Sequence, residues 1–238
     1  MPLHFLLALS VGKQSRFRFA LLTWMAAVLK GIPKNVLALG LTIGLIASTS
    51  CGGIRYPNYY ALKFPAPPSV PRTQSTVAGS LAVREFRSPV FLREGAIVYR
   101  PSAEQIAFYQ YHRWAEDPRR AVTELMIQDL QASGYFRSVD VYDGGRGSSD
   151  LVLSGTLEHL EELDQAGKVS VQVTISARLV TANTGEVVWQ DTSSKTGTPD
   201  QRTIAAIVDE MSRQMGSAVE SLVSSMGNRV LPVSAAGQ

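Results

Sequence analysis

The sequence predicts an α+β fold, a two-layer sandwich of a mostly antiparallel sheet with two main helices. Three observations predict it. In residues 168–181, apolar Val169, Val171, Val173 and Ile175 alternate with polar Ser170, Gln172 and Thr174. That period of two marks a sheet with one buried and one wet face. Two other stretches, opening at Pro118 and Pro199, carry apolar residues at helical spacing instead. From Pro118 the order therefore reads helix, four strands, helix, and helices that cover one face of an antiparallel sheet make this sandwich.

Taken in order, residues 59–64 (YYALKF) form a short aromatic strand. Residues 65–76 hold Pro65, Pro67, Pro68 and Pro71 and are an extended connector. A second strand covers 77–86, and a third extended piece, 91–100, is interrupted by Gly95. Residues 105–114 are a candidate fourth strand, too rich in aromatic residues for periodicity alone to decide.

Pro118 suits the first turn of a helix, and Ala121, Val122, Leu125, Met126 and Leu130 make its apolar stripe. Gly134 is placed to cap its C-terminus. A strand at 138–142 leads into the glycine-rich loop 143–150, and 151–163 with 168–181 form a long hairpin. The turn Asn183-Thr184-Gly185 leads to a strand at 186–192. The last helix covers 199–226, with a stripe that includes Ile207, Met211, Met215, Val219 and Met226. Residues 229–238 show no periodic signal and are expected to be a flexible tail.

Bulk charge misleads here. The chain of 238 residues carries +3, but residues 1–50 contain five basic groups and no acidic one. From Cys51 onward 18 basic residues face 20 acidic ones, a net charge of about −2. The basic excess belongs to the N-terminus, so nucleic acid is not an expected partner.

Residues 36–47 (VLALGLTIGLIA) follow Lys30 and Lys34 and run into Ser48, Thr49, Ser50 and Cys51. A charged region, a short apolar core and a small-residue site make a secretory signal. At helical rise this core spans about 18 Å, short of the roughly 30 Å of a bilayer. The expected organisation is a signal peptide at 1–50, a lipidated tether at 51–58, a periplasmic domain at 59–228 and the tail. Met25 as the true start would bring the leader to the usual length; a long leader from Met1 is the alternative. The cysteine after the small residues resembles the bacterial lipobox, although Ser48 stands where leucine is commonest. That resemblance implies lipidation at Cys51, and Gly52 in place of Asp implies the outer membrane. A soluble secreted protein with an idle Cys51 is the bland alternative. With one cysteine, no intrachain disulfide can form.

No catalytic site emerges. His4 lies in the leader, and His112 and His159 have no ligand partners at metal spacing, so neither a metal nor another cofactor is expected. The acidic run Glu158, Glu161, Glu162 and Asp164 is expected to be a solvated hairpin end. Gly144, Gly145 and Gly147 lack the lysine and helix of a phosphate loop, and no G-x-S-x-G elbow is present. The aromatic residues Tyr59, Tyr60, Phe108, Tyr109, Tyr111 and Trp114 are read either as sheet packing or as a contact surface for protein or lipid.

The YYAL strand after the cysteine, LREGAIVYR at 92–100 and YQYHRWAEDP at 109–118 resemble the ABC-type transport auxiliary lipoproteins of the paraquat-inducible protein C type. The long hairpin and terminal helix fit as well. The resemblance implies a non-enzymatic accessory that links a periplasmic mammalian-cell-entry (MCE) protein of a lipid transport system to the outer membrane. Its partners would be the membrane, through lipid on Cys51, the MCE-type subunit and a second copy of the chain. Tyr109, Tyr111 and Trp114 are the contact candidates. The competing binding class is an activator or scaffold docked on an envelope enzyme or secretion channel. An enzyme would instead need a pocket around His159 and Glu161.

Overall fold

Helix α1 (Pro118–Ser133) begins as its sequence requires. The Asp117 side chain accepts a hydrogen bond from the Arg119 N–H, and Pro118 occupies the first turn. Gly134 ends it in the left-handed region at φ 67°. All five expected stripe residues of α1 are buried. The structure is a computed structural model and describes residues 55–65, 78–144, 149–165 and 167–235. The expected leader, Cys51 and most of the proline connector lie outside them.

Among the described residues eight strands form one mixed sheet: β1 (Asn58–Tyr60), β2 (Ala78–Val83), β3 (Ala96–Arg100), β4 (Ala107–Trp114), β5 (Phe136–Val141), β6 (Leu151–Gln165), β7 (Lys168–Thr181) and β8 (Val187–Gly197). The antiparallel β6–β7 and β7–β8 ladders carry most of the paired length. Strand β6 is the hub. Its whole length pairs β7, while its other edge takes β2 in parallel at its start and β3 in parallel at its end. Strand β5 flanks β2, and β4 and then β1 flank β3. The fold is α+β, as expected, with parallel pairs in addition.

The buried face of the sheet is a cross-strand row repeated along β6. Val83 lies beside Leu153, which faces Leu179, which faces Trp189, and all four are at most 5% exposed. Helix α2 (Ile204–Ala235) lies over β7 and β8, and α1 packs on β5 and against α2. One apolar cluster runs from Leu62 to Val230. Gly155 sits within this layer because the Phe86 ring occupies the space a Cβ would fill.

Several boundaries differ from expectation. Residues 90–93 form a 3-10 turn (Val90–Arg93) that buries Leu92, so β3 starts only after Gly95. Strand β8 continues to Gly197, and α2 starts at Ile204 rather than Pro199. That helix also runs to Ala235 instead of stopping at Met226, and Val230 packs in the core at 6% exposure. Residues 229–235 are thus helical. No helix among the described residues is long and apolar enough to cross a membrane.

Candidate partner-binding surface

Strand β4 carries the aromatic segment, and its geometry is set by a register shift. Ala96 pairs Arg113 while Val98 pairs Phe108, so β4 bulges across residues 109–112. A bulge re-aims side chains and leaves the ladder locally unpaired. Here it lets Tyr109 and His112 meet edge to face, 5.7 Å between ring centroids. Tyr99 joins from β3 at 4.7 Å, and Tyr60 from β1 at 5.6 Å. The Tyr60 hydroxyl lies 3.0 Å from His112 Nδ1.

The three contact candidates have different fates. Tyr109 is half-buried and donates its hydroxyl to Glu162 Oε2 at 2.7 Å. Burial, with help from the Glu162 hydrogen bond and charge, pushes its phenol well above the ordinary range. Tyr111 is half-buried, with the Arg55 guanidinium over its ring at 5.9 Å from the centroid. Trp114 corrects the expectation: it is 5% exposed and belongs to the core. Its backbone N–H is held by Gly95 and it pairs Tyr60, which turns the indole inward. A buried ring offers a partner nothing. The surface instead presents Tyr56, 79% exposed, Tyr59, 64%, and Phe108. Tyr56 went unnoticed in the sequence because Pro57 separates it from the strand pattern. Cys51 lies outside the described residues.

The acidic run is a second correction. A bulge between Leu157 and His159 buries Leu157 and Leu160 on one face despite their spacing of three. After it, Glu162 shares a face with its partner Val171, and Glu161 lies on the other with Gln172. Both glutamates are buried, because β3 lies alongside this end of β6 instead of leaving it in water. Burial raises the Glu162 carboxyl above its ordinary value, with the Tyr109 hydrogen bond pulling the other way. Glu161 accepts from Arg100 Nε at 2.6 Å and lies 2.8 Å from His159 Nδ1, while its second oxygen has no partner. These groups do converge, but among the described residues no serine, threonine or cysteine hydroxyl or thiol hydrogen-bonds to them. Two surface clefts, of about 960 and 550 Å³, are lined by other residues. Their arrangement is that of a buried, paired charge that joins β3 to β6.

Comparison with known proteins places the chain more widely. The family model for the ABC-type transport auxiliary lipoprotein component matches residues 60–223. Comparison with curated protein sequences gives no match. Among solved structures, protein XCC0632 from Xanthomonas campestris is 15% identical with a TM-score of 0.64, covering 76% of this chain and 99% of its own. An uncharacterised protein is 14% identical with a TM-score of 0.55, covering 72% and 99%. At these identities the likeness is one of fold.

Proposed function

The chain belongs to the ABC-type transport auxiliary lipoprotein component family, and from that membership we propose that it is a non-enzymatic accessory of an MCE-type lipid transport system. Residues 1–50 are the leader removed on export, and Cys51 carries the lipid that holds the chain in the bacterial envelope. Gly52 after that cysteine supports the outer membrane, facing the periplasm. The domain from Tyr59 onward then reaches the MCE-type subunit.

The observation that carries this reading is the aromatic edge at β1 and β4. Tyr56 and Tyr59 are large, exposed rings within eight residues of Cys51, and Tyr111 with Arg55 continues the patch. Exposed aromatic side chains beside an arginine are the chemistry of a protein contact. With Cys51 lipidated, the patch is held close to the membrane surface.

Two measurements test the proposal together. Intact mass of the detergent-extracted protein is expected to show an N-terminus at residue 51 with acyl mass, absent from Cys51→Ala. A photo-crosslinking residue at position 59 or 111 of the lipidated chain is expected to capture an MCE-type subunit, and one at position 213, on α2, is not. An unmodified Cys51 would overturn the anchor. Capture of a cell-wall synthase or a secretion channel would replace the transport reading with that of an activator.

A further inference from the structure

The sheet face opposite the helices holds a cleft of about 960 Å³. Its floor follows from register. In one row across the sheet Ser154 of β6 faces Arg178 of β7, which faces Gln190 of β8; in the next, Thr156 faces Ser176, which faces Thr192. The segment after β2 runs parallel to β6, with Arg84 N–H on the Leu153 carbonyl and Arg87 bridged to Thr156. Arg84 and Arg87 therefore flank, and Arg178 stands within, a floor of hydroxyl groups.

These three cations lack the partners that arginine normally finds. No carboxylate among the described residues forms an ion pair with any of them. The two acidic residues of the lining are engaged elsewhere. Glu85 lies 3.8 Å from Arg119, and Asp191 accepts from Ser225 and from the Thr192 N–H. Arg84 is held in place by the Tyr142 ring, 4.0 Å from its centroid. Next to the Ser154–Arg178 row Val152 faces Val180, an apolar pair in the same lining.

We propose that this cleft binds the phosphate group of a small phosphate ester, with Arg84, Arg87 and Arg178 as its cationic donors and Ser154, Thr156 and Ser176 as hydroxyl donors. Planar guanidinium forks match phosphate oxygens bidentately, and the volume falls in the range of small-ligand sites. The Val152–Val180 pair accommodates an apolar group beyond the phosphate. The site is independent of the transport assignment, and either can fail without the other.

The test uses the full lipidated chain in non-ionic detergent. The probes are glycerol 3-phosphate and dihexanoylphosphatidylglycerol, followed by phosphorus NMR line broadening and calorimetric titration. Both probes are expected to bind, and Arg84→Gln/Arg178→Gln to weaken them at least tenfold. Arg213→Gln removes one positive charge away from the cleft and is expected to leave binding unchanged. Arg178→Lys, which keeps the charge and loses the fork, is expected to fall between. Tighter binding of the lipid assigns the apolar pair to acyl chains, and equal binding assigns the site to the phosphate alone; both outcomes support it. No broadening with either probe, or equal binding by the double variant with unchanged thermal unfolding, overturns the proposal.

Discussion

Burying a carboxyl group against Val171 favours its neutral form, and the hydrogen bond from Tyr109 offsets only part of that. Because the folded-state pKa of Glu162 is raised, its contribution to stability is fully present below the unfolded value. It is lost as pH rises through the raised folded value. Glu162→Gln removes this titration and keeps a carbonyl that still accepts from Tyr109. Relative to that variant, wild type is expected to be less stable at pH 7.5 than at pH 4, read as the difference in urea midpoints. Groups such as Asp117, held low by Arg119, act in the opposite sense but cancel in the difference. A gap that does not change with pH would show that Glu162 is solvated. Sequence could not reveal this burial, since an acidic run at a strand end reads as wet unless another strand is known to lie beside it. Trp114 failed for the matching reason: its aromatic neighbours are partly exposed, and only the β1 and Gly95 contacts turn it inward.

Helices were legible because their signals are local. Asp117, Pro118 and Gly134 fix both ends of α1, and the buried apolar residues of both helices follow the stripe, with Thr123, Glu210 and Ser212 buried beside it. The strands of the β6–β7–β8 meander were legible through alternation and short turns. The parallel pairs of β2 and β3 with β6 were not, because such pairing joins residues 70 and 63 positions apart with no local pattern to announce it. The end of α2 was also missed. After Met226 the run Gly227-Asn228-Arg229 breaks the stripe, although Val230 resumes it. Deleting residues 229–238 is accordingly expected to cost about 2 kcal/mol, the value of one buried aliphatic side chain, read by chemical denaturation. A flexible tail would be removed at no cost, and an unchanged midpoint would restore that reading.

At the scale of the whole molecule, the fold class followed from element order, whereas the placement of the two sheet arms on one hub strand required coordinates. Strand β6 carries β2 and β5 at one end and β3, β4 and β1 at the other, yet the apolar cluster spans both. A shared core makes the β3–β4–β1 arm unfold together with the β6–β7–β8 ladder. Tryptophan placement allows this to be measured. Trp24 precedes residue 51, so a chain that begins at residue 51 with Cys51→Ala retains only Trp114 and Trp189. The first is buried at the end of β4; the second lies under α2, its Nε1–H donated to Ser225 at 3.3 Å. Trp114→Phe and Trp189→Phe each leave one reporter, one on each side of the hub. In both variants the fluorescence transition is expected to coincide with that of far-ultraviolet circular dichroism. The chain from residue 51 is expected to stay in solution without detergent, because the apolar cluster from Leu62 to Val230 lies within it. Separate midpoints for the two reporters would divide the sheet into two cooperative units, and the aromatic edge could then open for a partner while the β6–β7–β8 ladder stays folded.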